Sequence, residues 1–186
     1  MKRTTFAIVL TLTSMSVVDI TTQAQDPAID RPLLALPAQM RATATVIKWK
    51  SDFTYDTLRK GTSRLVCYER PVLPEQPPFS MECTSVANLE RVAQTLKTEA
   101  SAAPDQASQR AAFEALEKVG KWPKPEYGSL FYNLTGADQA TARSHATICM
   151  PGATEKTLGL PENGNQGGAW IMYAGSSAAH IMVPGH

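Results

Sequence analysis

Phe79-Ser80-Met81-Glu82-Cys83-Thr84 alternates apolar and polar side chains, and from Val86 the period changes: Val86, Leu89, Ala93 and Leu96 recur at three- and four-residue spacing. The first pattern belongs to a strand and the second to an amphipathic helix, with Thr84 or Ser85 placed to cap it. A strand is therefore followed directly by a helix. A second helix is expected from about Gln106 to Val119, after Pro104-Asp105 and before Gly120, turning Ala112, Phe113, Leu116 and Val119 to the core.

Strand patterns lie on both sides of this helical pair. Upstream, Arg41 to Trp49 alternates with β-branched residues prominent, Tyr55 to Leu58 is a further short candidate, and Arg64 to Glu69 follows a turn at Lys60-Gly61. The proline-dense run from Pro71 to Pro78 suits neither helix nor ladder, so it reads as a stiff loop between two cysteine-bearing strands. Downstream, Leu130, Tyr132 and Leu134 share one face, as do Ala146, Ile148 and Met150. Trp170, Met172 and Ala174 alternate with Ala169, Ile171 and Tyr173, and Ala179, Ile181 and Val183 close the series. Strands, then two helices, then strands without βαβ alternation predict a single α+β domain over residues 41–186, with a mainly antiparallel sheet and a two-helix insert. Residues 26–40 carry three prolines among short apolar residues and predict an extended lead-in that packs Leu33 and Leu34 on the domain.

The first 25 residues have a different character. Lys2 and Arg3 precede a mostly apolar run from Phe6 to Val18, ended by Asp19, and Thr22-Gln23-Ala24 supplies small residues for cleavage. This is the pattern of a secretory signal peptide, too short and too rich in hydroxyls for a good membrane span. The expected product is secreted or periplasmic, without stable membrane insertion after cleavage. Of 18 basic and 17 acidic residues, Lys2, Arg3 and Asp19 lie in this segment, so the remainder is formally neutral and has no field to gather nucleic acid.

An oxidising compartment sets the reading of the three cysteines. Cys67 and Cys83 sit on the inward faces of two strands flanking one loop and are the expected disulfide, which leaves Cys149 over. A spare thiol suggests a nucleophile with His145 or His180 as base. His145 lies four residues from Cys149 on one strand, about 13 Å away, so a base would have to be His180 from a neighbouring strand. Ser176 and Ser177, at the turn Gly175-Ser176-Ser177, are alternative nucleophiles for His180, although no Gly-x-Ser-x-Gly elbow is present. The simpler reading makes Cys149 a small buried apolar residue and His180 a hydrogen-bonded core histidine.

No metal site or cofactor is expected, because His145, His180 and His186 include no His-x-x-x-His pair. The turn Asn163 to Gly168 lacks the carboxylates of a calcium loop and the lysine of a phosphate loop, and Glu114 with Glu117 reads as the solvated face of a helix. The favoured function is a non-catalytic module for a small molecule or an envelope protein, with His145, His180 and Tyr173 as binding candidates and Trp170 in the core. A hydrolase centred on His180 with Ser176, Ser177 or Cys149, and a structural envelope protein, are the alternatives.

Gly61-Thr62 leading to Cys67, Met81-Glu82-Cys83, Leu158-Gly159-Leu160-Pro161, Ala169-Trp170-Ile171-Met172 with Ala174-Gly175, and His180-Ile181-Met182 together resemble uncharacterised small exported bacterial proteins. The resemblance implies bacterial export and a single domain, with no activity, cofactor or site residue attached.

Overall fold

Residues 26–185 are described by the structure, a computed structural model. The proposed signal segment and His186 lie outside the described residues. Where residues 26–40 are expected to be extended, the chain instead turns helically three times: α1 (Pro27–Asp30), a 3-10 turn at Pro32–Ala35, and α2 (Ala38–Arg41). Proline is the cause rather than the obstacle. Pro27 and Pro32 each occupy the first turn of a helix, where the missing N–H costs nothing, and the Asp26 side chain accepts from the Ala28 N–H as a cap.

Eight strands form one mixed sheet: β1 (Thr45–Trp49), β2 (Tyr55–Arg59), β3 (Leu65–Glu69), β4 (Phe79–Ser85), β5 (Leu130–Gly136), β6 (Arg143–Cys149), β7 (Trp170–Met172) and β8 (His180–Pro184). Their order is β2-β1-β3-β4-β5-β6-β8-β7, and every neighbouring pair is antiparallel except β1 with β3. Between β4 and β5 come α3 (Leu89–Ser101) and α4 (Gln106–Lys118), and the short α5 (Glu155–Leu158) precedes β7. The domain is α+β, as the sequence patterning predicts.

The parallel pair requires the chain to leave β2 at the sheet edge and cross the start of β1. The crossing is close. A Cβ on Gly61 would stand 2.3 Å from the Thr43 carbonyl oxygen, and the N–H groups of Thr62 and Ser63 both donate to that oxygen at 2.9 Å. Strand β1 therefore begins at Thr45, with Arg41 still in α2, rather than at Arg41 as the alternation suggests.

Both faces of the sheet are covered over β1, β3 and β4. Val46, Cys67, Phe79, Met81 and Cys83 pack under Leu33, Ala35 and Leu36 of the N-terminal turns. Ile47, Trp49, Val66 and Tyr68 pack on the other side against Leu89, Val92 and Leu96 of α3. The N-terminal segment is thus a structural layer, with Leu33 buried and Leu34 half-buried against the core. Cys67 and Cys83 stand directly opposite each other and form a disulfide, with Cα atoms 4.1 Å apart. Helix α4 departs from expectation: it packs beside α3, none of its residues is buried, and Val119 just past its end is 63% exposed. Val86 likewise falls in a 3-10 turn ahead of α3 and is exposed.

Candidate functional site

Antiparallel pairing of β6 with β8 sets Cys149 opposite His180, and pairing of β8 with β7 sets His180 opposite Met172. Directly opposed residues share a face, so these three side chains form one row across three strands. Ser129 continues the row, since the Cys149 N–H donates to its carbonyl at 2.9 Å. The His180 ring hydrogen-bonds through Nδ1 to the Ala178 carbonyl oxygen at 2.8 Å, which places the proton on Nδ1 and leaves Nε2 as a lone pair. Tyr173, in the left-handed region at φ 55°, lays its ring edge-on to His180 with centroids 5.8 Å apart. His145 lies on the same face two rows away, opposite Asn133.

Arg91 of α3 approaches this row from above. Its guanidinium stacks on Trp122 at 3.8 Å, and Trp122 stacks in turn on Phe113 of α4. Burial lowers the Arg91 pKa to about 10, against the pull of Cys149 and Glu117. Glu117 is not part of a solvated face: it is half-buried and accepts the Ser177 N–H at 2.5 Å, tying α4 to the turn before β8. Of the two serines, Ser176 donates its hydroxyl to the Tyr173 carbonyl at 2.7 Å and the buried Ser177 Oγ has no partner among the described residues. Neither hydrogen-bonds His180.

The structure therefore unites Cys149, His180 and Tyr173, and leaves His145 and the serine hydroxyls outside their contact. Chemically, the pair is not poised as a nucleophile and base. Burial pushes the Cys149 thiol up, opposed by Ser129 and Arg91, while burial and the Arg91 and His145 charges push His180 down. Both shifts disfavour the thiolate and imidazolium that a cysteine nucleophile uses. Neither Cys149 nor His180 lines the two clefts described below.

A buried ionic cluster escaped the sequence reading. The Tyr68 hydroxyl donates to Glu82, Arg70 donates to Glu82 at 3.1 Å, and its other terminal nitrogen donates to Glu99 of α3 at 2.5 Å. The side chains of Glu82 and Glu99 are 7% and 11% exposed, so Arg70 neutralises two carboxylates taken out of water. Burial raises the Glu99 carboxyl, with Arg70 opposing.

The larger cleft, about 590 Å³, opens at the edge of the sheet beside this cluster, between α1, the ends of β1 and β3, and the proline loop. Trp49, Phe53, Leu58 and Leu73 give it apolar walls, and Arg31, Lys48, Lys50 and Arg70 stand around it with Glu69 as the one acid. Arg31 pairs with Glu69 and Lys50 with Asp56, both at 2.8 Å, whereas Lys48 has no ion pair among the described residues. The Trp49 indole N–H is buried without an acceptor. A smaller cleft of about 330 Å³ contains His145, Tyr132 and Leu36.

This chain matches no protein-family model, no curated protein and no solved structure. Its candidate sites rest on geometry alone. Among the described residues no helix is long and apolar enough to cross a membrane, and no three His, Cys, Asp or Glu side chains converge as metal ligands.

Proposed function

We propose that this protein is exported through its N-terminal segment, to the periplasm or beyond, and there serves as a non-catalytic binding module. Its ligand is a small molecule with an apolar body and an anionic group, held in the cleft between α1 and the ends of β1 and β3. One observation carries the reading: the cleft joins aromatic and aliphatic walls to four basic side chains and a single acid. Its volume of about 590 Å³ falls within the range of small-molecule sites, roughly 300–1,000 Å³. Lys48 is the natural partner for the ligand's charge, since the other cations already have carboxylates. The disulfide supports export, because such bonds persist in oxidising compartments.

Calorimetric titration with dodecanoate, and with dodecanol as the uncharged control, tests the reading. Saturable binding of dodecanoate that weakens severalfold in Lys48→Ala and Phe53→Ala is expected. Equal binding of both probes, or binding that neither substitution alters, contradicts it.

A further inference from the structure

We infer that Cys149, His180 and Met172 form a binding site for a soft monovalent metal ion, of which copper(I) is the biological representative. The inference does not depend on the cleft. Strand register alone places a thiol, an imidazole and a thioether side by side on β6, β8 and β7. Opposed side chains on one face have Cβ atoms about 4.5–5.5 Å apart. Cys149 and Met172 flank His180, so their Cβ atoms stand roughly 10 Å apart, and a metal bound at about 2.0–2.3 Å is shared when the flexible Met172 side chain turns over His180 toward Cys149.

His180 is already set as a ligand. Its Nδ1–H is held by the Ala178 carbonyl, the second contact that metal-bound histidines make, and Nε2 keeps its lone pair. Cys149 is the one cysteine not in a disulfide, since the other two cysteines of the chain are joined to each other. The row ends at β7, an edge strand, where Met172 and His180 are half-buried and Tyr173 is exposed, so an ion has a way in.

Ligand type and charge select the ion. Thiolate and thioether sulfur favour copper(I), while zinc and the harder cations need further nitrogen or oxygen ligands that do not converge here. Binding replaces the thiol proton: Cys149–SH and M⁺ give Cys149–S–M and a released H⁺, with no change of oxidation state. The product is neutral. A divalent ion would add an uncompensated charge beside the buried Arg91 guanidinium.

The test is an anaerobic titration of the purified protein, disulfide intact, with copper(I) held by bicinchoninate and kept reduced with ascorbate. One equivalent should be withdrawn from the chelator. Cys149→Ala should abolish the withdrawal, Met172→Leu and His180→Ala should weaken it at least tenfold, and His145→Ala, two rows away, should leave it unchanged. X-ray absorption of the wild-type complex needs no variant and should show sulfur with nitrogen around the metal. No withdrawal by wild type, withdrawal that survives Cys149→Ala, or a metal shell without sulfur overturns the inference.

Discussion

Replacing Arg70 with methionine keeps most of the side-chain volume and removes the one cation between Glu82 and Glu99. Both carboxylates stay buried, at 7% and 11% side-chain exposure, facing each other across the seam between β4 and α3. Removing one partner of a buried ion pair costs about 3–5 kcal/mol, because the remaining charge cannot recover its hydration. In a domain of this size such a loss lowers Tm by roughly 6–20 °C. The deficit also has a predicted pH dependence. Burial already raises the Glu99 carboxyl above its ordinary value of 4.5, and Arg70 opposes the rise, so Arg70→Met raises it further. A carboxyl whose folded pKa exceeds its unfolded one favours folding most below the unfolded value, and this contribution is lost as pH rises through the folded value. The deficit relative to wild type should therefore be largest at neutral pH and shrink as pH falls toward 4.5. Urea unfolding of both proteins across that range measures it. A neutral-pH deficit below about 1 kcal/mol, as for an exposed pair, or one that grows on acidification, refutes the reasoning.

Removing the disulfide as Cys67→Ala with Cys83→Ala should lower stability by about 3 kcal/mol from loop closure over a separation of 16 residues, seen as a shift of the urea midpoint. Leu36→Ala, at a side chain 1% exposed beneath the N-terminal turns, should cost about 2–5 kcal/mol if residues 26–41 are a true layer of the core, and a loss under 1 kcal/mol on the same assay would return them to the status of a lead-in.

Most strands were legible because period-two alternation survives even where both faces are covered, Tyr55 to Leu58 standing only as a short candidate, and Cys67 opposite Cys83 followed from inward placement on strands flanking one loop. The N-terminal layer was not legible, because prolines that forbid long helices are favoured at the starts of short ones, as at Pro27 and Pro32. Alternation also hid the ionic cluster. Glu82 reads as an outward residue of a half-buried strand, and only the packing of α3 on that face reveals it as buried and bound to Arg70. A glutamate at the centre of a strand that leads directly into a covering helix was the available signal. The helical period of α4 gave its apolar stripe but not its partner, which is why Val119 was assigned to the core and is exposed. For Cys149 and His180, spacing excluded His145 as a partner and pointed to a neighbouring strand. The register that makes Met172 the third member depends on the order β6-β8-β7, which local patterning does not encode.

The most direct test of the binding reading is amide and indole chemical-shift mapping during titration of the purified protein with dodecanoate. The reading predicts saturable shifts confined to Trp49, including its indole N–H, and to Lys48, Phe53, Leu58 and Leu73 around the cleft. Saturable shifts centred instead on the smaller cleft at His145 and Leu36, or no saturation at millimolar dodecanoate, would contradict it.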